Sequence, residues 1–254
     1  YKELYDLSKE QEEALNYHYP SMEQVMEMAK NTDRRLYEKT PHHFDFLTYR
    51  LGTGRIIPSF KVDYKKSELT EYNEAISDQV TELVAHYQYL ENLSITNDLL
   101  SAPTGYIGSR RTVIEQVQQA MMQLATFHSY HDVQFVPVFR EEELPLWEWS
   151  RWLPHMKLQQ FNCRSFVYHQ RSRDQLLTSL YQMIKERKQA AEQAGSNKQL
   201  TFTPHYVFVI TDLSLMLDHN IMEFINEDLS HLGISYLFVE DVIESLPEHV
   251  KTVV

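Results

Sequence analysis

The sequence predicts an α/β protein with a mostly parallel β-sheet flanked by helices. Apolar runs in the second half of the chain are continuous rather than alternating, which is typical of strands covered on both faces by helices. Amphipathic helical patterns separate these runs, and such strand–helix alternation implies a parallel sheet. The runs lie at residues 135–139, 165–168, 206–210 and 234–239, with a last one at 250–254.

The N-terminal part of the chain predicts two helices. From residue 1 to about 38 the pattern is helical and strongly charged, and Pro41 ends it. Ser21 is a favourable N-cap, and Gln24 is its capping-box partner three residues later. We therefore divide the chain into an N-terminal helical segment, residues 1–40, and an α/β domain, residues 41–254.

Residues 44–64 change to a strand-like pattern. Two apolar runs flank Gly52-Thr53-Gly54, which predicts a small β-hairpin. Residues 74–90 predict a further helix.

Pro137 is unusual within a strand, because proline fits poorly into a central strand. Two later helices follow from apolar stripes at helical spacing, formed by Val113, Val117, Ala120, Met121 and Leu124 and by Leu176, Leu177, Leu180, Met183 and Ile184.

Composition restricts the classes of protein to consider. A length of 254 residues suffices for one large domain with a helical appendage. The net charge of −12 opposes a nucleic-acid-binding surface, which requires clustered Lys and Arg. The single Cys163 excludes a disulfide framework and is typical of a reducing, cytosolic environment. No apolar run is long enough to predict a membrane span. Because the chain begins at Tyr1 and ends within a predicted strand, we expect it to be a fragment of a longer protein.

Residues 104–112, with the sequence TGYIGSRRT, follow a short apolar segment and precede an amphipathic helix. This strand–turn–helix setting is that of nucleotide-binding loops. In the P-loop pattern G-x-x-x-x-G-K-[ST], the lysine neutralises phosphates and the hydroxyl binds magnesium. With Gly108 as the last loop glycine, Pro103 takes the place of the first one. Ser109 then replaces the lysine, and Arg110 replaces the hydroxyl residue.

Two interpretations of this segment follow. It is a degenerate nucleotide loop, which binds an anion through the free N–H groups of the helix and two arginines, or it is an ordinary strand–helix connection. The missing lysine argues against productive binding of a magnesium nucleotide. In the first interpretation the loop residues are Gly105, Gly108, Ser109, Arg110, Arg111 and Thr112.

Asp212 follows an apolar strand, as the magnesium-coordinating aspartate of a Walker B strand does. ATP hydrolysis also uses a carboxylate beside it, and here the next residue is Leu213. An aspartate at a strand end is equally a common turn and N-cap residue. We therefore call Asp212 Walker-B-like and leave both interpretations open.

Other catalytic and metal-binding patterns are missing from the sequence. Zinc requires three or four converging ligands, whereas Cys163 has no CxxC partner and no HExxH pattern occurs. There is no G-x-S-x-G pattern for a nucleophilic serine. We therefore predict no catalytic residue and no metal site, and we expect this domain to bind no cofactor.

Three tryptophans, Trp147, Trp149 and Trp152, lie within six positions. Because these three side chains do not easily face one core, we predict that at least one lies on an interaction surface, where tryptophan is favoured. The alternative is a locally buried aromatic lid.

Three segments together resemble one family. Residues 44–54, FDFLTYRLGTG, resemble a DFLxxRxGxG signature. Residues 105–109, with the helix that ends in LATFHS at 124–129, resemble a degenerate loop and helix. Residues 147–155, WEWSRWLPH, resemble a W-x-W-x-x-W-L-P-H block. The family is the FtsK/SpoIIIE-type ATPase of type VII secretion, in the EssC/YukB form of Gram-positive bacteria. The resemblance is to the degenerate domain between the transmembrane helices and the tandem ATPase domains.

The resemblance implies a Rossmann-like, P-loop-ATPase-like fold with residues 1–40 as a stalk. It places the domain on the cytoplasmic side of the cell membrane, as part of a membrane-anchored protein, and assigns ATP and magnesium to later domains of that protein. We expect a non-catalytic coupling domain that links the membrane segments to the ATP-hydrolysing domains during protein export. The alternative is a weak or subunit-completed ATP-binding domain. The partners implied are adjacent domains and membrane segments of the same chain, other membrane components of the secretion system, and small helical secreted substrates.

Overall fold

The computed structural model of the chain describes residues 1–62, 74–194 and 200–254. These residues form two compact units, each built from two stretches of sequence. The first unit contains Tyr1–Val25 and Tyr49–Asn97, and the second contains Met26–Thr48 and Asp98–Val254. Packing therefore divides the chain at other positions than residue 40, and the division into 1–40 and 41–254 stays a prediction.

The secondary structure alternates between helices and strands over the described chain. The helices are α1 (Lys2–His18), α2 (Met22–Asn31), α3 (Glu74–His86), α4 (Arg110–Phe127), α5 (Leu144–Trp147), α6 (Gln170–Ala194) and α7 (Met222–Ile225). The strands are β1 (Thr48–Ile56), β2 (Leu90–Asp98), β3 (Thr104–Ile107), β4 (Val133–Val138), β5 (Lys157–Leu158), β6 (Cys163–Arg164), β7 (His205–Ile210), β8 (Ile234–Glu240) and β9 (Thr252–Val253). None of the helices in the described ranges combines the length and the apolarity needed to cross a bilayer.

The first unit combines α1 with a two-stranded sheet of β1 and β2. On α1, the Gln11 side chain accepts hydrogen bonds from the backbone N–H and the hydroxyl of Ser59, at 2.8 and 3.0 Å. Arg50 of β1 and Ser94 of β2 both donate to the carbonyl oxygen of Tyr19, at 3.2 and 3.3 Å. These bonds attach the helix and the segment after it to the sheet.

The start of α2 confirms the predicted capping box. The backbone N–H of Ser21 donates to Oε1 of Gln24 at 2.9 Å, and the N–H of Gln24 donates to Oγ of Ser21 at 3.4 Å. The two residues thus satisfy two N–H groups at this helix end.

The hairpin predicted around Gly52 and Gly54 is wrong in its position. Both glycines lie inside β1, which pairs with β2. A Cβ on Gly54 would lie 2.4 Å from Cδ1 of Ile95 in β2, so this glycine permits close approach of a strand rather than a turn. The small antiparallel hairpin of the chain is formed by β5 and β6 in the second unit.

The second unit confirms the parallel sheet. Its five strands have the order β4-β7-β8-β3-β9, and every neighbouring pair is parallel. All six residues of β4 and of β7 are buried, as expected for strands covered on both faces. The apolar stripes predicted on α4 and α6 are buried in full. Each large apolar side chain buried in this way contributes about 1.5–3 kcal/mol to folding.

Two of the predicted strands differ in the structure. Residues 165–168 form no regular strand and extend the sheet by one parallel bridge, between Val167 and Val138. The Val167 N–H donates to the Pro137 carbonyl, and the Phe139 N–H donates to the Val167 carbonyl, both at 3.0 Å. The carbonyl and the nitrogen of Pro137 therefore point away from β7. Because β4 is the outer strand, this proline removes no hydrogen bond from the five-stranded ladder. The strand predicted at 250–254 is shortened to β9.

Candidate functional site

Ligands of open parallel sheets bind beyond the carboxyl ends of the strands. In the second unit this edge carries the residues that follow β3, β4, β7 and β8. The predicted loop after β3 and the predicted Asp212 after β7 therefore reach the same edge. Polar residues after β4 and β8 join them.

The connection from β3 to α4 is shorter than the sequence indicated. Gly105 lies inside β3, where it pairs with Phe238 and Val253, so it is not a loop residue. A Cβ at this position would lie 2.5 Å from Cδ1 of Leu246, and this close approach accounts for the glycine. Only Gly108 and Ser109 connect strand to helix. A connection of two residues has too few backbone N–H groups to surround a phosphate as a P-loop does.

The first turn of α4 is rich in arginine and has no acidic residue. Gly108 has φ of 153°, a value that favours glycine, and the Ser109 side chain makes no capping hydrogen bond. Arg111 is largely exposed and pairs with Glu115 one turn later, at 3.2 Å. Thr112 also lies in this turn. Of the predicted loop residues, Arg110 is thus the one whose side chain contacts a residue that follows another strand.

Arg110 is held by a carboxylate. Its Nε lies 2.7 Å from Oε1 of Glu143, in the 3₁₀ helix Glu141–Glu143 that follows β4. The other carboxylate oxygen of Glu143 accepts a hydrogen bond from the hydroxyl of Thr211, at 3.1 Å. Within the described ranges, the buried Nη2 of Arg110 has no hydrogen-bond partner. Glu143 therefore connects the helix start to the end of β7.

Asp212 is held by its own turn. Its Oδ1 accepts from the backbone N–H of Ser214 at 3.1 Å and from the Ser214 hydroxyl at 2.6 Å. Its Oδ2 lies 3.6 Å from Nε of Arg140. Asp212 thus acts as the cap of the 3₁₀ helix Leu213–Leu215, and a Walker-B-like role stays a prediction.

Glu240, at the end of β8, belongs to the same group of charges. Partial burial raises the pKa of its carboxyl, Arg110 and Arg140 lower it, and Asp241 and Asp212 raise it. Charges at the ends of neighbouring strands therefore act on one another at this edge.

This donor set does not fit a magnesium nucleotide. Phosphoryl transfer uses a lysine or arginine on the phosphates and oxygen ligands on magnesium, whereas here Arg110 already carries the Glu143 carboxylate. Across the ranges that the structure describes, no group of three His, Cys, Asp or Glu side chains is placed to hold a metal ion.

The three tryptophans lie in different environments. Trp147 is fully buried, and its ring stacks on Phe139 at 5.3 Å between centroids. It is therefore a core residue, and of the three candidates for an interaction surface the structure removes Trp147. Trp152 is 82% exposed, and Trp149 is half-buried. Trp152 and part of Trp149 remain available for contact.

A buried histidine cluster at the amino edge of the sheet was not predicted. Nε2 of His128 accepts from the Leu47 N–H at 3.0 Å, so its Nδ1–H donates to the Leu124 carbonyl at 2.9 Å. Nε2 of His155 lies 2.8 Å from the His128 carbonyl and donates to it. His205 lies 2.8 Å from the Ser235 hydroxyl. The cluster joins residues from all three segments on which the family resemblance rests.

Burial keeps these rings neutral. It lowers the pKa of His128 to about 3, that of His155 to about 4 and that of His205 to about 3. Phe46 contacts both His128 and His205, with centroids 5.1 and 6.1 Å apart. A neutral histidine core is a structural arrangement, since the charged form is excluded.

A buried ion pair lies beside this cluster. Nζ of Lys39 is 2.8 Å from Oδ2 of Asp45, and each side chain is 4% exposed. Lys39 also lies over the ring of Phe127, at 5.2 Å from its centroid. Burial lowers the pKa of the Lys39 ammonium, and the pair with Asp45 opposes that shift. Spacing in the sequence gave no signal for this pair.

Comparison with known proteins identifies relatives over the whole chain. The chain is 50% identical over 254 residues to the type VII secretion system protein EssC of Staphylococcus aureus (strain NCTC 8325 / PS 47). It is 36% identical over 256 residues to the ESX secretion system protein EccC of Geobacillus thermodenitrificans (strain NG80-2). Both alignments cover all of this chain and only 17% of the relative. No family model matches the chain.

Solved structures give a weaker likeness. The cytoplasmic domain of EssC has a TM-score of 0.48 and 14% identity, over 64% of this chain and 34% of that chain. A structure of EssC (ATPases 2 and 3) from Geobacillus thermodenitrificans has a TM-score of 0.48 and 12% identity, over 84% of this chain and 37% of that chain. The relationship is therefore carried by sequence identity.

Proposed function

We propose that this chain, which belongs to the EssC/EccC family of type VII secretion proteins, is a non-catalytic coupling domain. It links membrane segments to ATP-hydrolysing domains of the same protein, on the cytoplasmic side of the cell membrane. The observation that carries this proposal is the Arg110–Glu143–Thr211 group, in which the Arg110 guanidinium is already paired with a carboxylate of the same chain.

Electrostatics support the non-catalytic part. A phosphate brought next to Arg110 would meet the Glu143 carboxylate, with the carboxylates of Asp212 and Glu240 in the same group of charges. Like charges at short range are unfavourable, most of all where burial lowers the local dielectric. ATP and magnesium therefore belong to other parts of the protein. The alignment with EssC covers only 17% of that relative, so most of the protein lies outside this chain.

The path of the chain supports the coupling part. The polypeptide passes between the two compact units three times, after Val25, Thr48 and Asn97. On one side of the second crossing, the buried pair of Lys39 and Asp45 anchors the chain to the amino edge of the sheet. A chain connection that is anchored in this way passes a displacement along the polypeptide through packing contacts. It requires no catalysed reaction in this domain.

Turnover measurements test this function. With magnesium and ATP, we expect no hydrolysis by this chain above a buffer blank. In the full-length protein, Asp212→Asn is expected to leave the rate of ATP hydrolysis unchanged. Magnesium-dependent hydrolysis by the chain that is lost in Asp212→Asn would overturn the proposal.

The alternative is a weak ATP-binding domain completed by another subunit. The buried Nη2 of Arg110, which has no partner within the described ranges, favours this alternative. Titration with a fluorescent ATP analogue, with and without magnesium, distinguishes the two functions. Saturation that Arg110→Gln abolishes supports binding, and a flat curve up to millimolar nucleotide supports the coupling domain.

Exposed tryptophan supports contact with other parts of the secretion apparatus. Trp152 is 82% exposed, and we assign it to contact with adjacent domains of the same chain. Other membrane components of the system and small helical secreted proteins are further proposed partners. In the full-length protein, Trp152→Ser is expected to reduce secretion without changing the thermal stability of this domain. Unchanged secretion would contradict the assignment of Trp152 to this contact.

A further inference from the structure

We propose that Glu143 is a built-in anion, which occupies a phosphate-class site formed by Arg110 and Thr211 and keeps it closed. The inference deepens the proposed function and rests on it. It concerns how the edge of the sheet is kept free of phosphate, and which residue would have to move for phosphate to enter.

The geometry of the carboxylate is that of a bound anion. Its two oxygens have different donors, Arg110 Nε at 2.7 Å and the Thr211 hydroxyl at 3.1 Å. These donors come from the start of α4 and from the end of β7, two places from which parallel sheets hold ligands. A guanidinium and a hydroxyl that converge in this way suit carboxylate and phosphate alike.

The start of α4 requires a negative charge from elsewhere. The positive end of a helix dipole favours anions, yet this first turn holds two arginines and no acidic residue. Arg111 takes its counter-charge from Glu115 at the surface. For Arg110, the counter-charge is Glu143, which is 33 residues away in the sequence and 12% exposed.

Only one of three consecutive glutamates is turned inward. Glu141 and Glu142 in the same 3₁₀ helix are exposed, and Glu143 is partly buried. Only Phe139 and Arg140 separate this 3₁₀ helix from the end of β4. The sheet therefore restricts the position of the helix. A phosphate would therefore enter only by displacing Glu143 or by neutralising it.

The test removes the charge and retains the shape. In Glu143→Gln, Arg110 loses the carboxylate that contacts it, and its guanidinium becomes available to an external anion, while Asp212 and Glu240 are unchanged. The probe is inorganic pyrophosphate, titrated into the chain at constant ionic strength and followed by isothermal titration calorimetry. We expect the Kd of Glu143→Gln to be at least ten-fold lower than that of the unsubstituted chain. Adding Arg110→Gln to this variant is expected to abolish the gain.

The matched control is Glu142→Gln, which removes the same charge from an exposed neighbour. Equal affinities in Glu143→Gln and Glu142→Gln would overturn the inference, because the gain would then come from net charge alone. Glu143→Ala supplies a second variant if the glutamine form does not fold. Failure of this test would remove the Glu143 group as support for the coupling function without contradicting that function, whereas ATP hydrolysis by the unsubstituted chain would contradict the coupling function itself.

Discussion

At the two edges of one parallel sheet, polar side chains are held in different ways. At the amino edge, Lys39 and Asp45 are 4% exposed and lie beside three buried, neutral histidines. At the carboxyl edge, the ion pairs are closer to solvent, with Arg110 25% and Arg140 53% exposed. Parts of the segments that resemble the family signature lie at the closed edge, with Leu47, His128 and His155 among them. The residues that resemble a nucleotide site lie at the open edge. The difference indicates that the buried contacts at the amino edge maintain the fold. At the carboxyl edge, the partly exposed side chains are free to exchange partners.

The largest effect should come from breaking the buried pair at the amino edge. Asp45→Asn leaves the Lys39 ammonium buried without its counter-charge, which costs about 3–5 kcal/mol. Urea unfolding measures the change. The control is Lys188→Gln, which breaks an exposed pair with Glu227 and should cost about 1 kcal/mol or less. Similar losses in both variants would contradict the contrast between buried and exposed pairs.

The sheet could be predicted because its signals are local. Continuous apolar runs and helical stripes lie within one element, as on α4 and α6, and the capping box of Ser21 and Gln24 spans four residues. Gly105 was misplaced because its role depends on Phe238 and Val253, which pair with it from far along the chain.

The details of the candidate site could not be predicted for the same reason. Glu143 lies 33 residues from Arg110, and Leu47 lies 81 residues from His128. No spacing rule in a single sequence connects residues so far apart. Trp147 and Trp152 have the same side chain in one short block, and only the packing of α5 separates the buried ring from the exposed one.

The next effect in order of expected size is that of acid, which should destabilise the folded state through the histidine cluster. Burial lowers the pKa of His128, His155 and His205 to about 3, 4 and 3, below the value of about 6.5 expected in the unfolded chain. The unfolded state then binds more protons, so the stabilisation is complete above pH 6.5 and is lost as the pH falls toward 4 and 3. Each histidine contributes a slope of about 1.4 kcal/mol per pH unit within that window.

Urea unfolding at pH 7.5, 6.0 and 5.0 measures this slope. His155→Gln should reduce it, because one buried titrating ring is removed. The matched control is His131→Gln, since His131 is close in sequence but exposed, and it should leave the slope unchanged. A free energy of unfolding that does not change between pH 7.5 and 5.0 would show that the rings do not stay neutral in the folded state.

The smallest effect is expected at the carboxyl edge. Arg110→Gln breaks the pair with Glu143 while Thr211 continues to donate to that carboxylate. Because Arg110 is partly exposed, water replaces some of the lost interaction, and we expect a loss of about 1–2 kcal/mol in the free energy of unfolding, between the exposed and buried limits. A loss as large as that of Asp45→Asn would mean that this edge is as much a part of the stable core as the other, and that Glu143 is held too firmly to be displaced by an entering anion.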